Sequence, residues 1–182
     1  MTSAEPPLTD LRITLPQCVV RAWCHADKTS LVKHADNRKV WRNLTHAFPH
    51  PYTAADADRW LDHVTAQVPC SHFAIEVDGE AAGGIGVEPL SGILATTGEF
   101  GYWLGEPFWG RGIVAAAASA LVPRAMSALK LHRLEAAVFE WNPASMRVLE
   151  KLGFTREGVL RRSAVKDGQV IDRVMYGLTD LG

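Results

Sequence analysis

The sequence predicts an α/β fold of the α+β kind: a mixed, mostly antiparallel sheet of six to seven strands, flanked by helices. Three observations carry this expectation. The 182 residues suit one domain with a core of its own, so residues 1–182 are expected to fold as a single unit. The apolar period changes from 3.6 to 2 at His72, where Phe73, Ile75 and Val77 alternate with smaller or polar neighbours. Two dipeptides, Asp78-Gly79 and Asp167-Gly168, separate apolar runs, and their easy access to positive φ suits two-residue hairpins.

The elements follow in order. Residues 1–15 read as a loose leader, and residues 18–23, rich in bulky and β-branched side chains, as a first strand. Asp27 precedes a helix over 28–36 with Leu31, Val32 and Ala35 on one face; Val40, Trp41 and Leu44 extend that face after a break near Asn37. Pro49 and Pro51 mark a loop. Thr53 is a candidate N-cap with Asp56 three residues on, opening a helix whose face carries Ala57, Trp60, Leu61, Val64 and Val68 and which Pro69 ends. Strands are expected at 73–77 and 81–87, a loop at 88–97, and a further strand at 98–104. Gly110-Arg111-Gly112 leads into an alanine-rich helix that Pro123 should bend or end. A strand at 134–139, a helix at 143–152 with proline in its first turn and Gly153 behind it, and strands at 154–164 and 169–178 complete the chain.

Composition narrows the function. An apolar fraction of 47% with 21% charged residues is that of an ordinary globular chain. Nineteen basic against twenty acidic residues, net −1, supply no global attraction for nucleic acid or an anionic membrane, so neither is an expected partner and any phosphate site must be local. Cys18, Cys24 and Cys70 have no CxxC spacing and no paired histidines, so no metal site and no disulfide framework is expected. Residues 1–15 lack the basic and apolar regions of a signal peptide, and residues 112–129 are too interrupted to span a membrane. Reduced thiols and a cytoplasmic location follow as the expectation.

Two segments point to chemistry. Around Trp109-Gly110-Arg111-Gly112-Ile113-Val114-Ala115 a strand gives way to a glycine turn and a helix start. Unpaired first-turn N–H groups and the positive end of the helix dipole make an anion site there, with phosphate as the natural guest. Two bare glycines let a ligand approach the amides, and Arg111 adds a charge at the rim. Gly110-x-Gly112-x-x-Ala115, with Glu135 about twenty residues on, also fits the dinucleotide fingerprint; its position beyond mid-chain, after hairpin strands, counts against a dehydrogenase. No Gly-Lys-Ser or Gly-Lys-Thr follows, so a Walker loop fails. In the second segment Asn142 lies where a strand hands over to a helix and Ser145 one turn further in; both also fit plain capping roles.

Together these segments resemble the GCN5-related N-acetyltransferase (GNAT) superfamily, in its RimJ/RimL-type branch of ribosomal-protein N-terminal acetyltransferases. The family signature, often Trp-Gly-x-Gly-x-Ala in this branch, is similar to the stretch from Trp109 to Val114, with Val114 in place of a small residue. Asn142, Ser145, Glu150, Lys151, Gly153 and Phe154 match its later pattern, as do Glu157-Gly158, Asp167-Gly168, Asp172 and Tyr176. The resemblance implies a sheet splayed between the fourth and fifth expected strands, 98–104 and 134–139, with the pantetheine arm of acetyl-CoA in the gap. It further implies coenzyme contacts from backbone groups of Tyr102, Trp103 and Leu104, from Trp109 and the amides of Gly110, Arg111, Gly112, Ile113, Val114 and Ala115, and from Asn142 and Ser145. Ser145 is then the candidate proton donor to the coenzyme sulfur. Glu99 is the candidate for binding the substrate ammonium and helping to remove its proton. The implied activity is direct acetyl transfer from acetyl-CoA to a primary amine, of a protein N-terminus or a small molecule, in a ternary complex without metal.

A second reading keeps the fold without turnover: an acyl-CoA-binding or regulatory module, suggested by Val114 and by Ala164, where some relatives carry a carboxylate. The histidines read as surface or satisfied polar residues, and Trp41, Trp60 and Phe48 as helix-face core. No motif in 27–68 or in the last hairpin identifies the acceptor, and a monomer or a homodimer fits equally.

Overall fold

The computed structural model describes residues 8–179; residues 1–7 of the expected leader lie outside the described residues. One sheet runs in the order β1-β2-β3-β4-β5-β6-β8-β7, built from β1 (Arg12–Thr14), β2 (Val19–Ala22), β3 (His72–Val77), β4 (Glu80–Pro89), β5 (Thr97–Leu104), β6 (Arg133–Phe139), β7 (Thr155–Lys166) and β8 (Gln169–Thr179). The helices are α1 (Lys28–Ala35), α2 (Arg38–Trp41), α3 (Ala54–Ala66), α4 (Ile113–Leu129) and α5 (Pro143–Lys151). All paired strands are antiparallel except β5 and β6. That one parallel pair in a hairpin-rich sheet is not the βαβ array a dinucleotide fold requires.

Both Asp-Gly turns form as expected, with positive φ at Asp78, Gly79, Asp167 and Gly168. Thr53 caps α3 through a capping box with Asp56, and the Asn37 side chain accepts from Lys39 N at 2.8 Å, separating α2 from α1. Alternation along β3 sorts side chains between two cores. Phe73 and Ile75 join Val87, Phe100, Ile113, Leu121 and Leu134 under α4 and α5. Ala74 faces the other way, with Trp23, Leu31 and Leu61 under α1 and α3. At Gly84 a Cβ would stand 2.8 Å from Trp103 Nε1, so the small residue makes room for the indole on that second face.

The structure departs from expectation in four places. Residues 8–15 are not loose: Leu8, Leu11 and Ile13 are buried, and β1 pairs with β2 as an eighth strand, because these apolar side chains close the edge of the main core. Pro123 does not end the first half of α4, which continues to Leu129; the proline is exposed while Leu121, Val122 and Ala125 hold the helix to the core. The face of α3 ends before Val68, which is 87% exposed, since the helix stops at Ala66. The expected loop at 88–97 is shorter, with β4 reaching Pro89 and β5 starting at Thr97. Among the described residues, no helix is long and apolar enough to cross a membrane.

Candidate active site

The site originates where β5 and β6 part. They pair in parallel only at Thr97–Arg133, Gly98–Leu134 and Glu99–Glu135; beyond Glu99 each strand leaves backbone groups without that neighbour. A cavity of about 1000 Å³ occupies the opening. The splay falls between the strands for which it was expected.

Alternation decides which backbone groups face the gap. Gly105 N donates to Ala82 O on β4 at 2.8 Å, so the groups of Trp103, two residues earlier, also turn toward β4, and those of Tyr102 and Leu104 turn toward the gap. The Leu104 carbonyl accepts from Trp109 Nε1 at 2.7 Å. Of the three backbone positions expected to hold pantetheine, Tyr102 is thus the one that both faces the gap and carries no such bond. Trp103 instead lines the cavity with its indole, which meets Phe48 edge-on.

Beyond β5 a single 3-10 turn, Glu106–Phe108, leads to the glycine segment. Gly110 and Gly112 have φ of +74° and +72°, a region that non-glycine residues enter at a cost. A Cβ at either would meet no protein atom within 4 Å, so what the glycines provide is a backbone turn and open space above it. Gly112 is the N-cap of α4 and no side chain caps the helix. Trp109, Gly110, Gly112, Ile113, Val114 and Ala115 all line the cavity. The open first turn and its dipole suit an anion held by main-chain donors, which fits the diphosphate of a coenzyme. Arg111 lies outside this wall, exposed, with its guanidinium 5.5 Å from the Phe108 ring centre. Val114 packs against the main core as well as lining the cavity.

Across the gap, β6 ends in a tight turn, Asn142 N donating to Phe139 O at 2.9 Å. The Asn142 Oδ1 accepts from Ser145 N at 3.1 Å, capping α5 with Pro143 in its first turn. The capping role is therefore filled, and the Asn142 amide N–H groups remain for a ligand. Ser145 Oγ lies 2.7 Å from the Tyr102 hydroxyl, which also donates to the Ser145 carbonyl at 3.1 Å. Burial pushes the Tyr102 phenol up to about 12, so it stays protonated near neutrality. Its hydroxyl was not foreseen: residues 43 apart in sequence meet only because the gap brings β5 against α5.

Glu99 points to the opposite face from Tyr102, that of Trp103 and Phe48. The structure brings Tyr102, Asn142 and Ser145 together and leaves Glu99 on the other side of the opening, though all four line one cavity. Glu99 sits in register between Glu88 and Glu135. His72 lies 3.9 Å from Glu88 and Arg133 3.9 Å from Glu135; Glu99 has no ion partner among the described residues. Three adjacent carboxylates repel one another and favour a cation beside the middle one.

The last hairpin closes the cavity over α2. Asp167 accepts from Arg38 Nη2 at 2.7 Å and lies 3.5 Å from Arg42 Nε, and Lys166 Nζ lies 3.9 Å from the Trp41 ring centre. Trp41, expected as core, lines the cavity, while Phe48 and Trp60 pack as expected against the second core, Phe48 lining the cavity as well. In the sequence Asp167 stands out only as a turn residue and a match to the family pattern, and Lys166 not at all, since a charged residue beside a hairpin turn is ordinarily solvated. Among the described residues, no group of three or more His, Cys, Asp or Glu could hold a metal ion.

The profile of the Acetyltransferase (GNAT) domain family matches residues 17–155. With the splayed sheet and the open glycine turn in place, the chain belongs to this family, that of the Acetyltransferase (GNAT) domain. Its relatives include the ribosomal protein uS5-alanine N-acetyltransferase of Escherichia coli (strain K12), 28% identical over 181 residues, covering 93% of this chain and 91% of that protein. Uncharacterized N-acetyltransferase YoaA of Bacillus subtilis (strain 168) is 39% identical over 80 residues, 44% of this chain and 45% of YoaA. Against several such Bacillus relatives the match spans about half the relative's length, 40% to 55%. Among solved structures, Mycobacterium smegmatis RimJ in complex with CoA-disulfide superposes with a TM-score of 0.77 at 26% identity, covering 89% of this chain and 81% of that one.

Proposed function

We propose that this chain transfers an acetyl group from acetyl-CoA directly to a primary amine, of a peptide N-terminus or a small molecule, within a ternary complex. The observation that carries the reading is the parting of β5 and β6 past Glu99 and Glu135, with an uncapped helix start at one end of the opening and Ser145 at its side. The RimJ structure with bound CoA-disulfide supports the same choice of coenzyme.

The reaction forms a C–N bond and breaks a C–S bond, so it leaves a thiolate that needs a proton and an ammonium that must lose one. Amides of the turn from Gly110 to Ala115 hold the diphosphate, and the Tyr102 backbone facing the gap pairs with the amide-bearing arm. Ser145 gives the departing sulfur a hydrogen bond or its proton, which it then regains from water. Tyr102, protonated and 2.7 Å from Oγ, orients that hydroxyl. Glu99 holds the incoming ammonium and passes its proton to water. A peptide α-amine, with an ordinary pKa of about 7.7 to 8.0, needs little help to deprotonate.

Calorimetric titration with acetyl-CoA, followed by initial velocities with both substrates varied, tests this. Binding at micromolar concentration and intersecting velocity lines are expected. Parallel lines would indicate a covalent acetyl-enzyme instead, and binding without turnover on any amine would favour the non-catalytic module.

A further inference from the structure

Among the described residues, Lys166 is the one charged side chain of the cavity wall that is almost wholly buried, at 6% exposure. A buried ammonium ordinarily has a carboxylate partner. Among the described residues, none accepts from Lys166 Nζ; it lies 3.9 Å from the centre of the Trp41 ring and feels the Asp167 carboxylate only through space, without a hydrogen bond. Its sequence neighbour Asp167 is committed elsewhere, to Arg38 at 2.7 Å and Arg42 at 3.5 Å. The charged groups facing the cavity are Glu99 and Asp167 against Arg147, Lys151, Lys166 and Arg173. A net positive wall in a chain of net charge −1 concentrates attraction for anions in this opening. Arg147 and Lys151 lie one turn apart on α5, the helix that carries Asn142 and Ser145. Lys166 instead lies on the hairpin that covers α2, beside Trp41.

We propose that Lys166 is a specificity-determining residue that binds a carboxylate of the acceptor, so that the amine acetylated is one bearing an acid group a few atoms from its nitrogen. This rests on the acetyl-transfer reading above. Either the α-carboxylate of a free amino acid or an acidic side chain at the second position of a peptide supplies that chemistry; polycationic amines do not. Burial pulls the Lys166 ammonium below its ordinary range, and a bound carboxylate offsets that desolvation. Glu99, unpaired in the same cavity, takes the positive end of such an acceptor.

The test compares free α-amino acids with their C-terminal amides, and amidated peptides beginning Ala-Asp with those beginning Ala-Asn, as acceptors at saturating acetyl-CoA. The same compounds are titrated by calorimetry into CoA-loaded protein. In at least one pair the acid form is expected to exceed its neutral partner about ten- to hundred-fold in kcat/KM or affinity, as for a charge-assisted hydrogen bond. The pair that shows the effect names the source of the carboxylate. Lys166→Met, which keeps an apolar stem on Trp41, should abolish the preference by raising KM for the acid form alone, and Lys166→Arg should restore much of it. Acid and neutral forms handled alike, or Lys166→Met lowering both equally, overturn the assignment while acetyl transfer stands. Selective binding of the acid forms without turnover upholds the carboxylate site and refutes the transfer reading. If CoA binds but no compound is bound or acetylated, the assignment falls.

Discussion

Replacing Gly112 by alanine separates the backbone's contribution to folding from its contribution to coenzyme binding. Gly112 has φ of +72° and ψ of 5°, and an L-residue in that left-handed region costs about 1–2 kcal/mol. The new methyl meets no protein atom within 4 Å, so no packing clash adds to that figure. Gly79, in the turn between β3 and β4, is an internal control, with φ of +82° and equally open space. Both alanine variants should therefore lose about 1–2 kcal/mol, a fall in Tm of roughly 2–8 °C for a chain of this size. Their ligand behaviour should diverge. The methyl at residue 112 stands where the diphosphate is proposed to rest and should weaken CoA at least about ten-fold, about 1.4 kcal/mol, while Gly79→Ala should bind it normally. Chemical denaturation and calorimetric titration of both variants give the four numbers. If Gly112→Ala loses stability yet binds CoA as the parent does, the diphosphate does not lie on this turn and the coenzyme assignment fails with it.

Further outcomes are expected elsewhere. Tyr102→Phe removes the hydroxyl 2.7 Å from Ser145 Oγ and keeps the ring, so turnover should fall about ten-fold, about 1.4 kcal/mol, at unchanged CoA affinity; a parental kcat would exclude the phenol from the reaction. Glu99→Gln should lower kcat/KM for the amine and leave coenzyme binding untouched, and parental rates across the pH range would remove Glu99 from the mechanism. Burial is the largest influence on the Asp27 carboxyl and pushes it up, but hydrogen bonds from Arg21 and Cys24 together hold it below 3.8. Its folded pKa being depressed, the stability it adds is full above that value and drains away as pH falls from 3.8 through the lower folded value. Asp27→Asn should cost roughly 3 kcal/mol at neutral pH and flatten that acid limb, as read by urea melts at stepped pH. Pro123→Ala should raise stability by roughly 2–2.5 kcal/mol, the helix penalty of proline less its restriction of the unfolded chain, and a lower Tm would refute the reading of Pro123 as a tolerated flaw.

Local chemistry is what the sequence by itself determined. The Asp-Gly turns, the Thr53 capping box, the glycine turn at 110–112 and the Asn142 cap involve residues no more than three positions apart, and each adopts the conformation its side chains favour. The order of strands and helices follows from these punctuation marks and the apolar period between them. Where local preference and packing disagreed, packing prevailed: Pro123 stays inside α4 because buried neighbours hold the helix on either side, and Arg12–Thr14 join the sheet because Leu8, Leu11 and Ile13 are buried at its edge. The site beyond its glycine turn belongs to tertiary structure. Tyr102 reaches Ser145 across 43 residues and Arg38 reaches Asp167 across 129. The burial of Lys166 exists only because the last hairpin folds over α2. Such pairings depend on where the parting of β5 and β6 sets two faces opposite one another, a distance in space that no spacing along the chain encodes.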